Sequence, residues 1–193
     1  MDVLESIAAR RSLSKMRPEA PPRELIERVL QAAVHAPNHH DTQPWRFFIL
    51  TNEARSQFGE VLARALARRL GEAAPNLAGL MLAERVKPMR SPVLIVVGVV
   101  SEAEDPMTRR EDLQAASAAL QNMLLAANAL GLAAIWRTGE GAYDDSVKAH
   151  FGLQPSDEIA GILYIGYPDP SFGLAPTRQR DFASRTEWRG WAE

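Results

Sequence analysis

The segment that most restricts the fold is 111–130, because it is small or apolar almost all the way round. Ala115, Ala116, Ala119, Leu120, Met123, Leu124 and Ala127 share it with Ala118, Leu125 and Ala126, and no polar stripe separates them. A helix that is apolar on every side is stable only when something covers it: a core, an interface or a membrane. Gln114, Gln121, Asn122 and Asn128 argue against lipid, where their amides would be costly. The pattern therefore predicts a helix over 111–130, buried in a core or a dimer contact, with Gly131 as its C-terminal cap.

The elements around it follow from hydrophobic periodicity. Trp45–Leu50 reads as a strand of aromatic and β-branched residues. The run from Pro92 to Val100 is apolar throughout, as a strand covered on both faces must be. Leu132–Arg137 and Glu158–Tyr167 complete four strands. Helices are expected over 3–10, from Pro22 up to Pro37, and over 53–70, 77–86 and 143–150. The fold class is α+β, in one domain over residues 1–193. The tail from Pro168 carries four Arg and two Trp and shows little periodicity.

Composition removes several functions. With 22 basic and 24 acidic residues the net charge is −2, which gives no footprint for nucleic acid or an anionic membrane. The chain has no Cys, so a disulfide framework, a thiolate nucleophile and a cysteine metal site are excluded. Asp2 and Glu5 stand where a signal peptide needs bases, and the run ending at Val100 is too short to span a bilayer. A soluble cytoplasmic chain is expected, without nucleic acid or membrane partners.

Three constellations carry the remaining chemistry. Three of the four His fall between His35 and His40, followed by Asp41. A metal is the obvious reading, but Pro37 breaks the helix that would set His35 and His39 on one face, so no metal is expected. A polar loop or a cofactor contact remains open. Arg10-Arg11-Ser12, with Ser14-Lys15 close behind, is suited to gripping a phosphate or to capping a helix end. Trp136-Arg137-Thr138-Gly139, just past a strand, offers an aromatic face, a cation and a hydroxyl to a flat anionic ligand. No dinucleotide fingerprint, P-loop or nucleophile elbow occurs.

These segments, in this order, resemble the FMN-dependent nitroreductase family, in particular its small single-domain, YdjA-like subgroup. The resemblance rests on Ala9-Arg10-Arg11-Ser12, on Ala36-Pro37 followed by Gln43-Pro44-Trp45, on Gly131 with Ile135-Trp136-Arg137-Thr138-Gly139, and on Gly161 to Pro168. It implies a mostly antiparallel central sheet flanked by helices, an intertwined homodimer, and FMN at the dimer interface. NAD(P)H would be the co-substrate and a nitroaromatic or quinone-like small molecule the electron acceptor. By resemblance, Arg10 and Ser12 hold the phosphate and ribityl region, and Arg11 the pyrimidine edge. His35 and His39 reach FMN from the other subunit, and Gln43 lies near the ribityl chain. Trp136, Arg137 and Thr138 lie against the cofactor, and Arg178 and Arg180 match a phosphate-gripping pair. No catalytic side chain is implied, since the flavin carries the chemistry, and His40 and Asp41 receive no role. The same resemblance admits a flavin-binding module without turnover, or a flavin-fragmenting or dehalogenating enzyme on the same fold.

Overall fold

A sheet whose second strand is apolar on both faces needs helices above and below it, and the chain supplies them. The computed structural model describes residues 2–171 and 181–191. Helix α1 spans Val3–Ala9 and α2 spans Arg23–Ala33; strand β1 (Trp45–Leu50) follows, then α3 (Asn52–Leu70) and α4 (Leu77–Arg85). Strand β2 is Val93–Val99, α5 is Pro106–Ala129, β3 is Ala133–Arg137, α6 is Asp145–His150 and β4 is Glu158–Gly166. The four strands lie in the order β1-β2-β4-β3, and every pair is antiparallel. The expected strands and their antiparallel arrangement are thus present, with β1 and β3 on opposite edges.

β2 alternates between two cores, which is why its sequence alternates between nothing. Val93, Ile95, Val97 and Val99 face α2 and α5, beside Val29, Leu120 and Met123. Leu94 and Val96 face the other way, against Phe58 and Leu62 of α3 and Val147 of α6. At about 25 cal/mol per Å² of apolar surface buried, these two faces carry most of the stabilisation.

Helix α5 buries Ala115, Ala116, Ala119, Leu120, Met123, Leu124 and Ala127. Leu113, Ala118 and Ala126 pack only partly against the same core. Its C-terminus closes as expected. Gly131 takes a φ of 74°, its N–H donates to the Asn128 carbonyl (3.1 Å), and the Leu132 N–H donates to that of Ala127 (2.8 Å). This is a Schellman cap, which a residue with a Cβ would strain.

Its start differs from the expectation, five residues earlier. The side chain of Asp105 accepts from the N–H groups of Met107 (2.9 Å) and Thr108 (3.0 Å), and Pro106 occupies the first turn, where its missing N–H costs nothing. Hydrogen bonds from Thr108 and then Met107 hold the Asp105 carboxyl below the ordinary aspartate range. A folded-state value below the unfolded one means stabilisation present at neutral pH and lost as pH falls through the carboxylate range. Asp105→Ala should therefore lower Tm by a few degrees at pH 7, and the difference should shrink in acid. An equal difference at every pH would show that the carboxylate is not the cap.

Candidate functional site

The first group of candidate residues sits where α1 ends and β3 runs past it. Ser6 fastens α1 to the far end of α5: its hydroxyl donates to the Leu125 carbonyl (3.2 Å), and Asn128 Nδ2 donates to the Ser6 carbonyl (3.4 Å). The chain then lies along edge strand β3. Ser12 bridges Ala134 in parallel, and the Leu13 N–H donates to the Ala134 carbonyl (3.1 Å). Residues 10–12 and 136–138, far apart in sequence, are thereby set side by side.

Within this group the side chains are individually placed. Arg10 Nη1 lies 3.4 Å from Ser12 Oγ. Arg11 Nη1 donates to the carbonyls of Ala8, Ala9 and Arg10 at 2.8–2.9 Å, so it satisfies the end of α1 that would otherwise lack donors. The Trp136 indole lies across Gly161 and donates to the Ala160 carbonyl at 3.2 Å. Arg137 faces the other side of the sheet, its guanidinium carbon 5.8 Å from the centre of the Tyr164 ring. Burial pushes the Tyr164 phenol up, while Arg137 and Arg90 draw it back. Thr138 and Gly139 line a cavity of about 260 Å³ with Leu62, Ala65, Ile162 and Tyr164. Two ion pairs, Arg69 with Glu140 and Lys87 with Glu84, also border it. A larger cavity, about 460 Å³, lies between α2 and β1 and contains none of the expected residues.

The second group is the loop between α2 and β1. His35 is exposed, its Nε2 3.3 Å from Gln31 Nε2. His40, Asp41 and Gln43 have φ values of 57°, 50° and 46°, in the left-handed region. Each non-glycine residue there costs on the order of 1–3 kcal/mol, so the surroundings must hold the loop in place. They do so through side chains. Asn38 Oδ1 accepts from the Gln43 N–H (2.6 Å), and Asn38 Nδ2 donates to Thr42 Oγ1 (3.0 Å). Thr42 Oγ1 donates to Asp112 Oδ1 (2.5 Å), while Asp112 Oδ2 accepts from Ser101 Oγ (2.5 Å).

His39 is held by ring contacts. Its Nδ1 lies 2.8 Å from Glu111 Oε2; a carboxylate only accepts, so Nδ1 is the donor. The His40 ring stacks on that of His39 at 3.9 Å, and Asp41 Oδ1 accepts from Gln43 Nε2 (3.3 Å). Both residues that the sequence left without a role therefore support the two that it singled out. Glu111, Asp112, Asn38 and Thr42 are functional candidates that sequence reasoning missed. Nothing in the charged first turns of α5 marks Asp112 as buried.

The two groups do not meet within one chain. They follow opposite edges of the sheet, three strand spacings or about 14 Å apart. The anchors of α1 and of the loop also lie at opposite ends of α5: thirteen helical steps run from Asp112 to Leu125, about 20 Å at 1.5 Å per residue. Arg178 and Arg180 lie outside the described residues. Among the described residues, no three His, Cys, Asp or Glu are placed to hold a metal ion, and no helix is long and apolar enough to cross a membrane.

The sequence profile of the nitroreductase family matches residues 7–167. The chain belongs to the nitroreductase family. YdjA of Escherichia coli (strain K12), named for a proposed NAD(P)H nitroreductase activity, is 36% identical over 169 residues, 87% of this chain and 89% of that protein. Among solved structures, the nitroreductase-like protein from Bacillus cereus superposes with a TM-score of 0.84 at 26% identity, over 98% of this chain and 97% of that one. A nitroreductase-type protein of Desulfovibrio desulfuricans, solved in complex with FMN, gives 0.72 at 26% identity, over 100% and 99% of the two chains. Nitroreductases are oxidoreductases on an α+β fold, and the antiparallel sheet between helical layers described above is that fold.

Proposed function

We propose that this nitroreductase is an FMN-dependent NAD(P)H oxidoreductase of the cytoplasm. It works as a homodimer and reduces nitroaromatic or quinone-like acceptors, each FMN being held between the two residue groups of different copies. The observation that carries the dimeric site is that the two groups follow opposite edges of the sheet, with α1 and the loop anchored about 20 Å apart along α5. The cavity beside Thr138 supports the same reading. At about 260 Å³ it is smaller than the roughly 300–1,000 Å³ that encloses a cofactor-sized ligand, as half of a shared site would be. FMN itself is supported by the Desulfovibrio complex, and NAD(P)H by the activity for which YdjA is named.

The donor set fits the group. Arg10 and Ser12 offer a cation and a hydroxyl for phosphate and ribityl oxygens, and Arg178 and Arg180 are assigned to the phosphate as a second pair of cations. Arg11, anchored on the end of α1, approaches the pyrimidine edge from there. Thr138 and Arg137, on the Tyr164 side of the sheet, are assigned to the ring, Arg137 bringing a cation that favours negative charge at its edge, while Trp136 packs on the opposite face and holds the end of the strand in place. From the other copy come His35, the His39 ring and the Gln43 amide. When bound, FMN supplies the hydride chemistry between NAD(P)H and the acceptor. The chain's own work is to bind, orient and polarise, so no acid–base pair is required of it.

The purified protein should be yellow, and the colour should bleach anaerobically on adding NADPH or NADH. A colourless protein that takes up no added FMN overturns the proposal. A yellow protein that never bleaches overturns its turnover while leaving the binding.

A further inference from the structure

We propose that Asp112 is a positioning residue for the cofactor site. Through Thr42 it fixes loop 38–43, and so sets where His39 and Gln43 present themselves to the FMN of a partner copy. The inference rests on the function proposed above and goes beyond it by assigning a role to a residue that would touch neither flavin nor substrate.

Asp112 is 2% exposed, on a helix that otherwise buries alanine, leucine and methionine. A carboxylate in such a place is costly unless its oxygens are bonded. Both are, at 2.5 Å, by hydroxyls from two different segments. Short O–H···O⁻ bonds of this kind are stronger than neutral ones. Only the bond from Thr42 leads to the loop; Ser101 ties the same carboxylate to the segment after β2.

The order propagates by donor arithmetic. Thr42 has one hydroxyl proton and gives it to Asp112, so towards Asn38 it can only accept. That decides which way the Asn38 amide points: Nδ2 to Thr42, and Oδ1 to the Gln43 N–H. The three left-handed residues of the loop flank Thr42 on both sides and are held by this relay. One residue earlier on the same helix, Glu111 holds the His39 ring at 2.8 Å. The loop therefore hangs from α5 at two adjacent points, and Asp112 is the buried one.

Three substitutions separate positioning from plain stability. Thr42→Val removes the hydroxyl at constant shape, Asp112→Asn removes the charge, and Ser101→Ala removes the equivalent bond on the side away from the loop. Flavin affinity is read by quenching of FMN fluorescence, loop order by hydrogen exchange over 38–44, and stability by Tm. Thr42→Val and Asp112→Asn should each weaken FMN binding about tenfold and speed exchange over 38–44, as loss of a hydrogen bond to a charged group implies. Combined, they should do little more than either alone, because they cut one path. Ser101→Ala should lower Tm comparably, yet change FMN affinity by less than about twofold and leave 38–44 protected. If Ser101→Ala weakens FMN as much as Thr42→Val, Asp112 only stabilises the fold and the proposal is wrong. It is equally wrong if Thr42→Val and Asp112→Asn bind FMN like the wild type. A wild-type protein without FMN affinity overturns the proposed function, and this role with it. Exchange over 38–44 then still shows whether Asp112 orders the loop.

Discussion

Gly161→Ala should unseat Trp136, with a large loss of both stability and flavin affinity. A Cβ at residue 161 would stand 2.0 Å from Trp136 Nε1 and 2.5 Å from its Cδ1. β4 is an inner strand bonded on both sides, to β2 and β3, so its backbone has little room to retreat. The indole must move instead, losing its bond to the Ala160 carbonyl and its seat on the core. Overpacking of this kind costs about 2 kcal/mol, which for a chain of this size corresponds to a Tm lower by roughly 4–8 °C. Because the indole belongs to the segment proposed to lie against the cofactor, FMN affinity should fall about tenfold as well, the equivalent of one lost strong contact. The double variant Gly161→Ala with Trp136→Leu should regain most of the stability, since the smaller side chain clears the new methyl group, but not the affinity. If Gly161→Ala melted and bound FMN like the wild type, the indole would have another equally good position.

Two inactive variants should restore one another when mixed. Arg10→Glu damages the group beside β3, and His39→Ala damages the loop on α5. Each alone should weaken FMN binding about tenfold to a hundredfold, by loss of a charged or ring contact. In a shared two-fold site, a heterodimer of the two variants carries one doubly damaged site and one site with both residues intact. Random exchange makes half of the dimers mixed, so about one quarter of all sites should recover wild-type affinity. A site contained within one chain would show no recovery at any ratio. The measurement is flavin uptake after the two proteins have been denatured and refolded together, set against each refolded alone.

Several features of this molecule are legible in its sequence because they obey local rules. β2 reads as a strand because every one of its residues must be apolar to face two cores. The end of α5 is legible at Gly131, where φ is positive. Its beginning is equally local, an aspartate followed by proline, yet the polar stretch before residue 111 hides it because no apolar stripe begins there. The site is legible only as far as residue types go. That Arg10–Ser12 and Trp136–Thr138 lie along one edge strand depends on Ser12 pairing with Ala134, a contact that no spacing encodes. The role of Arg11 at the end of α1 was one of the two readings open from its position, and its bonds to three carbonyls show it directly. Asp112 is the residue furthest from legibility. The three residues before it, Arg109, Arg110 and Glu111, are charged, while its partners lie 70 and 11 residues away.

Placing the two residue groups on opposite edges of the sheet has a thermodynamic consequence. In the proposed dimer, flavin uptake and self-association are linked equilibria: a ligand that binds only the assembled form stabilises it, and the assembled form binds the ligand more tightly by the same free energy. Dilution then acts as a competitor of the cofactor, and a weakened subunit contact presents itself as a weakened flavin site, even when every residue that touches the flavin is unchanged.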